Sequence, residues 1–111
     1  PLLPLVRRHG FSLCLDVGHL LRDGCNWRRA LSEWLPAARH IHYHGVAAGR
    51  DHRAVDDAQA AVTQALGEAL VRAAYLGVVT IEVYSEARLA ASLATLGAAW
   101  EEFAAAGPNG K

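Results

Sequence analysis

His40-Ile41-His42-Tyr43-His44-Gly45 sets three imidazoles at alternate positions, and Asp51-His52 follows a few residues later. Two other apolar runs end on a carboxylate. Phe11-Ser12-Leu13-Cys14-Leu15-Asp16 leads into Val17-Gly18-His19, and Gly77-Val78-Val79-Thr80-Ile81-Glu82 leads into Val83-Tyr84-Ser85. Imidazole nitrogen and carboxylate oxygen together suit a divalent zinc, manganese or iron ion. Such ions polarise a phosphoryl or carbonyl oxygen and supply hydroxide near neutral pH. The candidate ligands are Asp16, His19, His42, Asp51, His52 and Glu82. Glu82 would bridge two ions and, with His44, is the candidate for catalysis. Arg50 and Arg53 flank Asp51-His52 and are the candidates for holding a substrate phosphate.

Each of these residues has a plainer reading. An Asp near a strand end is ordinarily a cap or turn residue. His40 and His9 read as a structural and a surface residue. Arg50 and Arg53 suit a solvated loop, and Trp27, Trp34 and Trp100 suit helix packing. Glu82 is the hardest to explain away, because a lone carboxylate inside an apolar run is expensive to bury.

These residues need elements to position them. Leu2 to Arg8 reads as the end of a helix, stopped by Gly10. A strand follows from Phe11, then a turn at Asp23-Gly24. Asn26 caps a helix that carries Trp27, Leu31 and Trp34 on one stripe and ends near Pro36. The histidine-rich strand and a loop through residues 47–52 come next. A long helix is expected from about Val55 to Leu76, stopped by Gly77, with Gly67 a mild interruption. After the third strand, Ser85 caps a last helix with the stripe Leu89, Leu93, Leu96, Trp100 and Phe103. The order is one helix, then strand-helix three times, which implies an α/β fold with parallel strands and helices packed outside.

Side chains alternate faces along a strand. Leu13, Leu15 and Val17 therefore oppose Cys14 and Asp16; Ile41 and Tyr43 oppose His40, His42 and His44; Val79 and Ile81 oppose Thr80 and Glu82. One face is apolar for the helices. The other holds ionisable groups near the C-terminal strand ends, where (βα)8 barrels keep their active sites. A complete barrel takes about 250 residues and eight strands. Residues 1–106 thus read as the last three strand-helix units of such a barrel, and 107–111 as a tail. The chain also begins inside a helix, as a fragment would.

The chain has 111 residues, 52% of them apolar, enough for one core and against disorder. Lys+Arg and Asp+Glu are 11 each, so the basic surface expected of a nucleic-acid binder is lacking. No apolar run is long enough to span a bilayer, and no signal peptide is evident. Cys14 and Cys25 form no disulfide framework and read as reduced thiols of a cytoplasmic protein, Cys14 as a core residue.

Leu15-Asp16-Val17-Gly18-His19, His42, Asp51-His52 and Ile81-Glu82-Val83 together resemble the last three strands of the xylose-isomerase-like barrels. That superfamily holds sugar isomerases, epimerases and abasic-site nucleases of the endonuclease IV type. The resemblance covers nearly the whole chain and implies metal ligation by Asp16, His19, His42 and Glu82. The nucleases bind a third zinc through Asp-x-His, whereas Asp51 and His52 are adjacent here. The family's upstream His, His and Glu ligands would precede Pro1, so the chain alone is expected to be inactive and to pair with the missing part of its barrel.

Within the superfamily, Asp16-Val17-Gly18-His19-Leu20-Leu21 and His42-Tyr43-His44-Gly45-Val46 with Arg50-Asp51-His52 are most similar to the cobamide-remodelling phosphodiesterases. These cleave the phosphodiester of the lower nucleotide loop. The implied activity is metal-dependent phosphodiester hydrolysis on a small-molecule substrate. The alternatives are a sugar or sugar-phosphate isomerase or epimerase, with Glu82 in acid–base chemistry, and an inactive barrel fragment. A nuclease is disfavoured by charge. An amidohydrolase shares only the His40-x-His42 spacing.

Overall fold

The computed structural model describes residues 2–106, so the expected tail at 107–111 lies outside the described residues. Helix α1 (Leu2–Arg8) ends as expected, with Gly10 at φ +70°. The N–H of Phe11 donates to the carbonyl of Val6 at 2.9 Å, and that of Gly10 to Arg7 at 3.4 Å, the paired bonds of a left-handed helix stop. Strand β1 (Leu13–Asp16) runs straight into a short helix α2 (Val17–Arg22). Helix α3 (Trp27–Trp34) starts where the Asn26 side chain accepts from the Arg29 N–H, and a 3₁₀ turn through Pro36 ends it. Strand β2 (Ala38–Tyr43) follows, then a ribbon of β3 (Gly45–Ala47) and β4 (Arg50–Arg53). Helix α4 (Ala60–Arg72), strand β5 (Val78–Ile81) and helix α5 (Glu86–Ala106) complete the described chain.

The main sheet has the order β1-β2-β5, and both pairings are parallel. Its apolar face carries Leu15, Ile41 and Tyr43, which share one buried cluster with Leu31 of α3, Val62 and Leu66 of α4 and Leu96 of α5. Tyr43 takes its hydroxyl into this core and satisfies it on Thr63 Oγ1 at 2.7 Å. The shortest dimension is 22 Å. That is the thickness of two layers, one sheet and one rank of helices. On the opposite sheet face Cys14, His40 and Val78, level with one another near the start of the strands, are exposed, whereas Asp16, His42, Thr80 and Glu82 further along are half-buried. Among the described residues, no helix is long and apolar enough to cross a membrane.

Several expectations need correction. Cys14 is on the exposed face rather than in the core, and burial together with the Asp16 and Glu82 charges pushes its thiol up from the ordinary value. The loop after the histidine strand is an antiparallel ribbon, closed by Ala48 and Gly49 at φ 51° and 73°. Positive φ at both central residues is what a tight hairpin needs, but Ala-Gly lacks the usual Asn-Gly signal. Helix α4 begins later than Val55, because Asp56 and Gln59 form a capping box around a 3₁₀ turn.

It also ends earlier than Leu76. Ala74, at φ 48°, takes the left-handed position given to Gly77, and the N–H of Tyr75 reaches the carbonyl of Leu70 at 3.0 Å. Gly77 instead lets the backbone pass against the Arg39 carbonyl and the Tyr75 ring. Gly67 is a packing residue, since a Cβ there would lie 2.7 Å from Trp100 and Phe103 of α5. Along α5, Leu89 and Leu93 face out (40% and 53% exposed), while Ser92 is buried in their place. The Ser92 hydroxyl accepts from the Val55 N–H at 2.9 Å and donates to the Arg88 carbonyl at 2.7 Å, which turns that row of the helix inward.

Candidate metal centre

The centre starts from strand register. Asp16 of β1 pairs with His42 of β2, and His42 pairs with Thr80 of β5. Glu82 lies two residues past Thr80, just beyond the end of β5, and its N–H donates to the Tyr43 carbonyl at 3.0 Å, so the backbone stays in line with the sheet. Alternation then puts Asp16, His42 and Glu82 on the same open face. His42 Nδ1 lies 3.1 Å from Glu82 Oε2 and 3.9 Å from Asp16 Oδ2. Donor atoms around a tetrahedral zinc sit roughly 3.3–3.6 Å apart, given bonds of about 2.0–2.2 Å. One donor atom from each of the three lies within 4.8 Å of the others, so a modest contraction brings them to ligand spacing.

Asp16 is also the N-cap of α2. Its Oδ1 accepts from the His19 N–H at 2.9 Å, and Oδ2 lies 2.9 Å from His19 Nδ1. The plain reading and the functional one hold together: the cap fixes the carboxylate and brings His19 to it. His19 Nε2 then points toward the ribbon, where Asp51 Oδ2 lies 3.6 Å from it and 3.9 Å from His52 Nε2. Asp51 and His52, though adjacent in sequence, both reach this point because His52 takes φ 54°. The ring of His52 is anchored by Nδ1, which donates to the Glu82 carbonyl at 3.0 Å, and so presents Nε2.

His44 sits between the two groups. It is wholly buried, with its ring 4.3 Å from that of His52 and 5.3 Å from that of His19. A Cβ at residue 18 would run into this ring, so Gly18 is required by His44 rather than by a turn of the chain. Expected beside the reacting groups, His44 has no exposed surface. Burial pushes its imidazole below the ordinary value, which keeps it neutral at pH 7.

No protein family, curated protein or solved structure matches this chain. The case for the centre thus rests on its own chemistry. Asp16 and Glu82 are half-buried, and among the described residues neither meets an Arg or Lys. Glu82 Oε2 is enclosed without a hydrogen bond, the 3.1 Å approach of His42 Nδ1 being out of line for one. Among the described residues, His44 Nε2 is the other enclosed side-chain nitrogen or oxygen without a hydrogen-bond partner. Half-buried carboxylates opposite imidazoles, with an orphaned oxygen among them, are the arrangement that a cation resolves. The residues present fit a divalent metal.

Of the expected ligands, Asp16, His42 and Glu82 gather in one place, and His19, Asp51 and His52 in a second beside it. Arg50 and Arg53 are not drawn in: they sit on β4, one exposed and one half-buried, and among the described residues no side-chain hydrogen bond or ion pair holds either guanidinium. The guanidinium that does meet the centre is Arg22, overlooked in the sequence. Its Nη1 donates to Asp51 Oδ2 at 2.6 Å and its Nε to Asp23 Oδ1 at 2.9 Å. Arg22 holds both carboxyls below the usual carboxylate range. The only sequence signal for it was its place at the end of α2, and α2 itself was not anticipated.

Proposed function

We propose that the chain carries a metal centre of a phosphodiesterase built on a (βα)8 barrel, to which it contributes three strand-helix units. The observation that supports this most is the meeting of Asp16, His42 and Glu82, with one donor atom of each within 4.8 Å of the others, at the C-terminal ends of neighbouring parallel strands. Asp16, His42 and Glu82 would hold one divalent ion, and His19, His52 and Asp51 a second. Ions so bound supply Lewis-acid stabilisation of a phosphoryl oxygen and activate water. Around them the chain's own residues act by position. The α2 cap fixes Asp16, the Glu82 carbonyl orients His52, and Arg22 keeps Asp51 ionised. Arg50 and Arg53 are free to meet an anionic substrate.

The substrate class follows the resemblance of residues 16–21 and 42–53 to the enzymes that open the nucleotide loop of cobamides. The test is to load the full-length protein with zinc, manganese or iron and incubate it with an adenosylcobamide. The reading predicts release of the lower nucleotide fragment, abolished by E82Q. Interconversion of a ketose pair with no cobamide cleavage would move the assignment to a sugar isomerase. Inertness toward both would leave a metal-binding remnant.

A further inference from the structure

His44 is close enough to His19 and His52 for the three imidazoles to share an ion, since one donor atom from each lies within 4.8 Å of the others. The hydrogen bonds decide against that use. His44 Nδ1 is approached by the His52 N–H at 3.0 Å and by the Gly45 carbonyl at 3.2 Å. One nitrogen cannot both accept from the first and donate to the second. An enclosed N–H left without an acceptor is rarer and costlier than a carbonyl with a spare lone pair. The N–H of His52 therefore fixes Nδ1 as an acceptor, and the ring proton sits on Nε2. Turning the ring over would set carbon against that N–H, and Gly18 on one side and His52 on the other leave no room for a different tilt. Nε2 then has no lone pair to give a metal. It faces Asp16 Oδ1 at 3.6 Å, a carboxylate oxygen that already accepts from the His19 N–H and has a lone pair left.

We infer that His44 is the positioning residue of the centre: it holds its single proton on Nε2, directs it to Asp16 Oδ1, and so keeps Asp16 Oδ2 turned toward His42 and His19. This explains why a fully enclosed polar atom has no partner at hydrogen-bond length. A contraction of well under an ångström, as the carboxylate settles on a cation, closes the contact. It also explains why Gly18 follows Asp16 so closely, since any side chain there would displace the ring that holds the carboxylate.

The inference rests on the metal-centre reading for its binding test alone; the position of the proton is tested without any metal. A long-range proton–nitrogen spectrum of the metal-free protein at neutral pH, assigned through the backbone, shows which ring nitrogen of His44 is protonated. The Nε2–H form is expected, and the Nδ1–H form would overturn the inference. Calorimetric titration with Zn²⁺ then compares the wild type with H44Q and H44N. A Gln amide reaches about where Nε2 sits, whereas an Asn amide reaches only Nδ1. The number of ions bound should be the same in all three. Affinity should fall roughly 10–100-fold in H44N, as for loss of an outer partner of a ligand, and recover most of that in H44Q. Loss of one equivalent in both variants would make His44 a ligand and overturn the inference. A wild type that binds no Zn²⁺ would remove the metal reading, and the spectrum would still decide where the proton lies.

Discussion

The two donor groups differ in how they are built. Asp16, His42 and Glu82 stand on three parallel strands, and their spacing is set by backbone hydrogen bonds that run through the sheet. Asp51 and His52 stand on a short ribbon whose geometry depends on positive φ at Ala48, Gly49 and His52. The first group is held by the core, and the second by a turn and an Arg22 contact. Strand ends supply rigid ligands, while a ribbon supplies ligands that are able to adjust.

Gly18 is where both groups depend on one backbone position, so G18A should have the largest effect. Its methyl group displaces the enclosed His44 ring, and overpacking of this kind costs about 3 kcal/mol. Urea unfolding measures it. An unchanged midpoint would mean that His44 is not fixed as described. Next, E82Q should weaken Zn²⁺ binding by at least roughly 100-fold, above the range for outer partners, while D51N should cost about tenfold. Calorimetry separates them, and equal losses would erase the distinction between the groups.

How much of this the sequence revealed follows the same division. Alternation along β1, β2 and β5 was enough to put Leu15, Ile41 and Tyr43 inside and Asp16, His42 and Glu82 outside. The period of two is a backbone property and needs no partner to be read. The ribbon was not legible, because Ala48 adopts a left-handed conformation that nothing in its residue type favours. Nor was α2, whose six residues are too few to show a helical period. Leu89 and Leu93 misled for a third reason. They fit the helical stripe, but Ser92 found two hydrogen-bond partners inside, and those contacts exist only in the folded chain.

The helix-facing side of the sheet gives a milder contrast. Tyr43 is buried with its hydroxyl on Thr63, and burial pushes its pKa up to about 12. The unfolded chain loses that proton near pH 10 and the folded chain only near the higher value. Between the two the folded state binds more protons, so stability falls as the pH rises, by on the order of 2 kcal/mol. Urea midpoints at pH 9 and pH 11 should show the loss, and Y43F should remove it while costing about 1 kcal/mol at neutral pH. Smallest of all should be R22Q. Its contacts are at the surface, so the unfolding midpoint should not move. Freed of its guanidinium, Asp51 should change Zn²⁺ affinity by only a few-fold, and a large loss would make Arg22 part of the centre's rigid frame.

The central claim is that the strand-end carboxylates and imidazoles share a cation. The most direct measurement is the urea midpoint of the wild type and of E82Q, each without Zn²⁺ and with the same Zn²⁺ concentration, about 100 times the wild-type dissociation constant. Binding to the folded chain alone should stabilise the wild type by about 2.7 kcal/mol and E82Q by far less. A wild type whose unfolding ignores the ion would contradict the account.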